Sequence, residues 1–339
     1  MTIRVAHIYA SDAIKNSGDF LIGIATKKYF KDKILQIDDD IIFEDINCRQ
    51  IFDIELINGL NNFDYIIIGA GGLILPDTFH NTVSCWQLGI PTYMYNKILK
   101  PIYVISIGFN LFYNQTINMY ERESNISDIS RQQIFKDNII ELIKISKYFT
   151  MRHNEDINQL IQIIGSEYID KIKLEFCPTI WYSSQIKKIF NINNKKYIAI
   201  EIKDDREWRR YYDISKTKFY SELEKVVLYC LENKIDIAYL SHDGSKNFYN
   251  YLKSKNIDIY YIDNSVADED KIYNNYESIK TLICSAGHSQ MIAYALGIDI
   301  ITLVSHPKTK NFCEDNNINK FIEINSNHNI FDFIINHLS

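Results

Sequence analysis

The chain has 339 residues, of which 46% are hydrophobic, so it is long enough to bury a large core or to form two domains. Its net charge of -6 argues against broad electrostatic binding of nucleic acid, which requires clustered lysines and arginines. No apolar stretch approaches the ~20 residues that a membrane-spanning helix requires, and the chain enters a strand pattern directly at its start. We therefore expect a cytoplasmic protein whose association with the inner face of a membrane is at most peripheral.

The six cysteines are far apart along the chain and include neither a CxxC pair nor the His/Cys spacing of a zinc site. Such cysteines are typical of a reducing compartment. The sequence therefore predicts neither a disulfide framework nor a metal centre.

Short β-branched runs alternate with longer segments of helical period, which is the pattern of an α/β protein with parallel strands. The clearest helix of the first half starts near Asn154, which can cap it, and ends at Gly165. The strands predicted for the first half are Ile3–His7, Ile34–Ile37, Tyr65–Gly69, Ile102–Ile107, Tyr148–Arg152 and Lys173–Phe176.

A second α/β series follows a polar, Asn- and Lys-rich segment, residues 183–196, which we interpret as a linker. The strands and helices predicted for this half are Tyr197–Ile202, Lys216–Asn233, Ile235–Leu240, Ile257–Ile262, Thr281–Cys284, Ile300–Val304, Phe321–Ile324 and Ile330–Leu338.

The predicted fold class is α/β, with two Rossmann-like domains facing one another across a cleft. We divide the chain into an N-terminal domain (1–182), the linker (183–196), a C-terminal domain (197–328) and a terminal helix (329–339). In such sheets ligands bind at the carboxyl ends of the strands, so the loops that follow strands are the informative ones.

The loop after the first strand contains Asn16, Gly18 and Asp19 just before a helical pattern. A glycine there lets the backbone turn tightly and point amides toward a ligand, while Asn16 or Asp19 can cap the helix or bind a hydroxyl. An ordinary N-cap turn explains the same residues.

Glycine follows two further strands of the first half. The run from Gly69 through Gly71 and Gly72 can form an amide nest or permit close approach to a sugar or phosphate, and Gly108 repeats the strand-then-glycine arrangement. The run is not a dinucleotide fingerprint, because the GxGxxG spacing is missing. A plain turn is the alternative.

Cationic residues follow one strand in each half of the chain. Arg152 precedes a capped helix, where its guanidinium could clamp a carboxylate or phosphate, or form a surface ion pair with Glu155 or Asp156. Three arginines and two aromatic residues of the segment "DDREWRRYYD" could bind an anionic or sugar ligand by charge and stacking, or belong to a solvated loop: Arg206, Arg209, Arg210, Trp208 and Tyr211.

His288 stands between the predicted strand Thr281–Cys284 and a helical pattern that closes at Gly297. A histidine at such a junction is well placed to act as a general acid or base, although a histidine bonded to a backbone carbonyl fits equally. The candidate ligand-binding residues beside it are Ser285, Gly287 and Ser289.

Five segments, in their order along the chain, resemble the motifs of the polysaccharide pyruvyl transferase family over roughly Asn16 to Lys310. These segments are "NSGD", "GAGG", "SIGF", "MRHNED" and "SAGHSQMIAYALGI". The resemblance implies a GT-B-like fold and transfer of a pyruvyl group from phosphoenolpyruvate to two hydroxyls of a sugar, forming a ketal. It implies that Arg152 binds the donor and that His288 is the general acid or base. Lys308 or Lys310 falls where the family carries a lysine. No metal or cofactor is implied besides the donor substrate.

The chain departs from the family pattern at two positions. Ala286 stands where the family has an arginine two residues before the histidine, and Cys177 stands where an acidic residue is common. Arg206 or Arg209 could supply the missing charge, or the donor is not phosphoenolpyruvate. The main interpretation is a pyruvyltransferase acting on a sugar or lipid-linked oligosaccharide of a surface polysaccharide. The alternatives are a GT-B glycosyltransferase that uses a nucleotide sugar, and a catalytically silent relative that binds a glycan or a partner.

Overall fold

The computed structural model of the chain describes residues 2–12, 16–75, 79, 81–113, 115, 128–187 and 195–338. The chain divides into two compact units, residues 1–13 with 22–178, and residues 14–21 with 179–339. The short segment 14–21 thus groups with the second unit although it lies near the start of the chain. The predicted linker stays a prediction, since residues 183–186 belong to a helix and residues 188–194 lie outside the described residues.

The first unit is built on a six-stranded parallel sheet with the order β2-β1-β3-β4-β5-β6. Its central strands are apolar almost throughout, as expected for a parallel sheet covered on both faces. The elements are β1 (Ile3–Tyr9), α1 (Ser17–Tyr29, of which residues 17–21 group with the second unit), β2 (Ile41–Asn47), α2 (Ile54–Leu60), β3 (Tyr65–Ile74), β4 (Ile102–Phe109), α3 (Asp128–Ile145), β5 (Ser146–Met151), α4 (Asn154–Ile164) and β6 (Ile172–Leu174).

The predicted strand at Ile34–Ile37 is wrong. A π-helical turn, Phe30–Leu35, extends α1 there, and Gln36 ends it in the left-handed conformation with φ of 53°. Phe30 is buried, and the side chains of Ile34 and Leu35 pack onto the same apolar cluster, so helical spacing accounts for this apolar run. The strand lies further on, at β2, whose seven residues pair in register with β1 from Ile3 to Tyr9.

Helix α4 shows how a sequence signal can be displaced by one residue. The helix begins at Asn154, but the N-cap is His153, which is extended and makes no side-chain cap bond. Gly165 ends the helix as predicted, with φ of 96°, a conformation that favours glycine.

The second unit contains a six-stranded parallel sheet with the order β12-β11-β10-β7-β8-β9. The chain starts in the middle, moves outward in one direction through β8 and β9, and then returns to the other side of β7. The elements are α5 (Pro178–Ile186), β7 (Tyr197–Glu201), α6 (Glu207–Arg210), α7 (Lys216–Glu232), β8 (Ile237–Ser241), α8 (Asn247–Ser254), β9 (Tyr260–Asp263), α9 (Glu269–Glu277), β10 (Ile279–Cys284), α10 (Gly287–Leu296), β11 (Asp299–Val304), α11 (Pro307–Asp315), β12 (Phe321–Glu323) and α12 (Ile330–His337).

This strand order creates a switch point between β7 and β10, where consecutive crossovers leave in opposite directions. The longest helix of the unit, α7, starts at the N-cap Ser215, whose side chain accepts a hydrogen bond from the Lys218 amide. It buries residues spaced by three or four, including Phe219, Leu223 and Val226, against the sheet. The core therefore holds the carboxyl ends of β7 and β10 in fixed positions.

Within the described part of the chain, no helix combines the length and the apolar character that crossing a bilayer requires.

Candidate functional site

The site is centred on Glu201, the last residue of β7. Its Oε2 accepts hydrogen bonds from the backbone amides of Ser285, at 3.2 Å, and Ala286, at 2.9 Å. Ala286 is the N-cap of α10 and offers no side-chain cap, so the carboxylate of a neighbouring strand satisfies amides at this helix start. The other carboxylate oxygen, Oε1, has no hydrogen-bond partner among the residues that the structure describes.

The protonation of Glu201 is tuned by its surroundings. Burial raises the pKa of this carboxyl to about 7, and the amides of Ala286 and Ser285 and the charge of Lys203 offset the effect only in part. A carboxyl with this pKa can both donate and accept a proton near neutrality. Glu201 therefore has the property that a general acid or base needs, at the edge of the sheet where ligands bind.

Lys203 connects Glu201 to its neighbours. Its backbone amide donates to the Ser285 hydroxyl at 2.7 Å, and its ammonium contacts the Asp243 carboxylate. Burial lowers the pKa of the Lys203 ammonium, while nearby carboxylates, Asp205 first and Glu201 and Asp19 after it, act in the opposite direction. Asp19, one of the residues chosen from the sequence, thus lies within the electrostatic surroundings of this lysine.

A buried guanidinium lies close to Ser285. Arg210 donates from Nε and Nη2 to Oδ1 of Asp205, at 3.0 and 2.8 Å, and from Nη1 to the Ser305 hydroxyl at 3.1 Å. The Ser305 hydroxyl in turn donates to the Ser285 carbonyl at 3.5 Å. Burial raises the pKa of Asp205, but the charges of Arg210, Lys203 and Lys308 outweigh it and lower this pKa to about 2. The sequence pattern groups Arg210 with Arg206 and Arg209 without distinguishing it, and only the structure shows that Arg210 is the buried one.

Arg206 and Arg209 lie on the same short segment but are partly exposed. Arg206 is the N-cap of α6 in the left-handed conformation, with φ of 51°, and Arg209 lies within that helix. Their proposed role in binding an anionic or sugar ligand stays a prediction.

The predicted loop Asn16–Asp19 is Asn16 followed by the first turn of α1, and the structure brings this turn together with His288. The Asn16 side chain accepts from the Gly18 amide at 3.0 Å and donates to Asp19 Oδ2 at 2.9 Å, so this asparagine stabilises the start of α1. A Cβ atom on Gly18 would lie 1.9 Å from Nδ1 of His288, which means that only glycine fits there. At the start of α10, a Cβ on Gly287 would lie 3.3 Å from Cε of Lys308. Several residues chosen separately from the sequence therefore form one group.

His242 is a further member of this group. It follows β8, is almost fully buried, and its Nδ1 lies 3.1 Å from the hydroxyl of Ser17. Its ring centroid is 6.0 Å from that of His288. Burial, with the charge of Lys203 adding to it, lowers the pKa of His242 to about 3, so this ring is neutral at physiological pH.

Ser289 is fully buried in α10, and its neighbour Gln290 donates from Nε2 to the Thr302 hydroxyl at 3.0 Å. The helix start, with Gly287 and His288, is the part of this segment that adjoins the other site residues.

The signal that could have identified Glu201 is a single acidic residue within the apolar run "YIAIEI". The described residues contain no cluster of three or more His, Cys, Asp or Glu side chains that could hold a metal ion.

The remaining sequence candidates belong to the first unit. The predicted end of the strand at Gly69 is wrong, because β3 continues to Ile74 and contains Gly69, Gly71 and Gly72. Gly69 and Gly71 have φ of 108° and 121°, and a Cβ on Gly69 would lie 2.4 Å from the Ile105 carbonyl oxygen. These two positions therefore require glycine for backbone reasons, whatever they bind.

Arg152 is buried and makes polar contacts inside the first unit. Its Nη2 donates to the Phe109 carbonyl at 2.7 Å, and its Nε lies 3.4 Å from Oδ2 of Asp156. Gly72 and Gly108 adjoin it, since a Cβ on each would lie 3.4 Å and 2.4 Å from Arg152 nitrogens. The ion pair between Arg152 and Asp156, predicted as an alternative on the surface, is thus present, but both side chains are buried. The structure brings Gly72, Gly108 and Arg152 together.

No protein-family model and no curated protein matches the chain. Solved structures match it over its whole length. The UDP-GlcNAc 2-epimerase of Methanocaldococcus jannaschii, in complex with UDP-GlcNAc and UDP, has 14% identity, with 100% of this chain and 93% of the epimerase covered and a TM-score of 0.55. The UDP-GlcNAc 2-epimerase of Neisseria meningitidis bound to UDP-GlcNAc has 13% identity, coverage of 99% and 91%, and a TM-score of 0.54.

The S. aureus MnaA–UDP structure is similar at 12% identity, with 98% of this chain and 87% of that one covered and a TM-score of 0.52. At these identities the likeness concerns the fold. The chain has a GT-B-like fold with two six-stranded parallel α/β sheets, which confirms the predicted fold class.

Proposed function

We propose that the chain is a glycosyltransferase that uses a nucleotide-linked sugar, and that this donor binds at the switch point between β7 and β10. The observation that carries the proposal is Glu201, a buried carboxyl with one oxygen fixed by two amides and the other without a partner in the described structure. The GT-B-like fold supports it, because the structures that share this fold include epimerases bound to UDP-GlcNAc.

The residues around Glu201 supply what glycosyl transfer requires. An acceptor hydroxyl attacks the anomeric carbon, the bond from that carbon to the phosphate oxygen breaks, and the nucleoside diphosphate leaves with the bonding electrons. Glu201 or His288 accepts the proton of the attacking hydroxyl. The cationic group formed by Lys203, Arg210 and Lys308 stabilises the negative charge of the leaving phosphates. The acceptor we propose is a sugar or lipid-linked oligosaccharide of surface polysaccharide synthesis, on the cytoplasmic side of the membrane.

The second candidate function is pyruvyl transfer from phosphoenolpyruvate. The observation that favours it is Arg210, whose guanidinium is linked through Ser305 to Ser285, the residue before Ala286. A charge at this place compensates for the arginine that the family pattern has at position 286. In this candidate His288 protonates the methylene carbon of the donor, and a sugar hydroxyl adds to the adjacent carbon while its proton passes to the neutral His288. Phosphate then leaves with the electrons of its bond to that carbon, and the second hydroxyl closes the ring and gives its proton to the released phosphate. The role of Arg152 in binding a donor stays a prediction.

The deciding experiment offers purified protein UDP-GlcNAc and other nucleotide sugars, with and without acceptor glycosides, and phosphoenolpyruvate in a separate series. Products are followed by mass and by release of nucleotide or phosphate. Release of nucleotide that depends on the acceptor supports glycosyl transfer. An epimerised nucleotide sugar formed without an acceptor overturns it, and so does consumption of phosphoenolpyruvate alone, which supports the second candidate.

Variants test the site in the same assay. Glu201→Gln and His288→Ala are each expected to lower kcat by about 10²- to 10⁴-fold, because each removes a group that transfers a proton. Glu232→Gln, at the exposed end of α7, is the matched control and should keep full activity. If both site variants retain the activity of the control, the catalytic assignment is wrong.

A further inference from the structure

Two consecutive residues at the start of α1, Ser17 and Gly18, contact both histidines of the site. Ser17 is fully buried, and its hydroxyl donates to the carbonyl oxygen of His242 at 2.9 Å while lying 3.1 Å from Nδ1 of the same residue. Gly18 lies against the ring of His288, with no room for a Cβ atom. The contacts of Ser17 join residues that are 225 positions apart in the chain.

The hydrogen bonds of Ser17 determine the tautomer of His242. A hydroxyl has one proton, and here it points to the His242 carbonyl oxygen. The contact between the hydroxyl oxygen and Nδ1 is then a hydrogen bond only if Nδ1 carries the ring proton and donates it. Because the ring is neutral, Nε2 keeps a lone pair and can only accept.

The Nε2 atom of His242 is buried and has no hydrogen-bond partner among the described residues. The ring of His242 lies near that of His288, with centroids 6.0 Å apart and planes inclined by 53°. The positive charge of Lys203 acts on the same ring and disfavours protonation of His242. A neutral ring with one accepting nitrogen thus lies near the histidine that the proposed reaction uses.

We propose that Ser17 and Gly18 form a clamp for the two histidines: Ser17 holds His242 as an acceptor toward His288, and Gly18 fixes the orientation of the His288 ring. His242 is then a positioning residue that stabilises the protonated form of His288 after proton transfer. With the opposite tautomer, His242 would present a donor to His288 and disfavour that form. The catalytic consequence rests on the proposed function, whereas the tautomer and ring contacts do not.

The first arm of the test measures the tautomer without using activity. The full-length protein is labelled with ¹⁵N at histidine, and long-range ¹H–¹⁵N spectra are recorded from pH 5 to pH 8, with His242→Gln and His288→Gln for assignment. His242 is expected to be neutral with the proton on Nδ1 at every pH in this range. Ser17→Ala should shift the proton to Nε2 in part or fully, and Ser17→Thr should keep it on Nδ1. A native ring protonated at Nε2, or a spectrum that Ser17→Ala leaves unchanged, overturns the clamp.

The second arm measures kcat and KM with the donor identified by the assay above. Ser17→Ala is expected to lower kcat on the order of tenfold with KM unchanged, as for the loss of one hydrogen bond, and Ser17→Thr should restore it. Gly18→Ala should lower kcat on the order of a hundredfold, because the added Cβ displaces the His288 ring. Gly59→Ala in α2 is the matched control, since its Cβ would meet no atom within 4 Å.

Thermal unfolding of each variant verifies that it folds. A folded Ser17→Ala protein with unchanged kcat overturns the positioning role, even if its spectrum changes as expected. If no donor is turned over at all, the proposed function fails, while the spectra still decide whether Ser17 holds the tautomer of His242. The two failures are therefore distinguishable.

Discussion

The buried carboxyl of Glu201 has an effect on stability that follows from its pKa. Burial raises this pKa from its ordinary value of 4.5 to about 7. At ~1.4 kcal/mol for each pH unit, a rise of this size corresponds to about 3 kcal/mol. Because the folded protein holds the proton more tightly than the unfolded chain does, this contribution is complete below pH 4.5 and is lost as the pH rises to about 7.

Glu201→Gln replaces the carboxyl by a neutral amide of the same shape and removes this titration. Relative to the native protein, the free energy of unfolding of the variant should rise by about 3 kcal/mol between pH 4.5 and pH 8. The difference arises because the native protein loses stability as the pH rises to about 7, where its buried carboxyl becomes charged. Urea denaturation at a series of pH values measures the difference.

The lowered pKa of His242 makes stability depend on pH as well, but this histidine is present in both proteins and its effect cancels in the difference. Glu232→Gln serves as the control, because it makes the same chemical change at an exposed position. Parallel stability curves for native protein and Glu201→Gln would refute the reasoning. Glu201 would then ionise like an exposed glutamate, and its proposed role in proton transfer would fall.

Two further predictions concern the buried ion pair of the first unit. Asp156→Ala should lower the free energy of unfolding by about 3 to 5 kcal/mol in urea denaturation, because it leaves the guanidinium of Arg152 buried without its carboxylate. Glu155→Ala, at the exposed neighbouring position, is the control. Equal losses of stability in the two variants would contradict the prediction. Gly108→Ala should cost about 1 to 3 kcal/mol by the same measurement, because its Cβ would lie 2.3 Å from Oδ2 of Asp156. Gly59→Ala should be neutral or slightly stabilising, and a Gly108→Ala protein as stable as this control would show that the site has room.

Local patterns in the sequence identify most of the strands and helices. All predicted strands except Ile34–Ile37 overlap an observed strand, and the predicted helix Lys216–Asn233 agrees with α7 to within one residue. These elements are recognised because burial on one or both faces imposes a period on the apolar residues. The exception arose because an apolar run at the end of α1 fits a helical turn as well as a strand.

The strand-end loops are recognised for the same reason, and they include the start of α10 with His288 and the loop from Asn16 to Asp19. The residues that these segments contact in the folded chain are not recognised from the sequence. Gly18 was chosen as a residue that lets the backbone approach a ligand, and in the structure it is the ring of His288 that comes close to it. Proximity of this kind depends on side chains from distant parts of the chain.

Residue periodicity was enough to predict an α/β chain with two series of parallel strands, and it located His288 and the residues Asn16 to Asp19 after strands. The neighbouring positions of β7 and β10 are seen only in the folded chain, where they bring Glu201 against the amides of Ser285 and Ala286, which lie 84 and 85 positions further along. The hydrogen bond between Ser17 and His242 is likewise seen only in the folded chain. The physical reason is that strand order depends on how the crossover helices pack on the sheet, whereas residue periodicity records only which face of each element is buried.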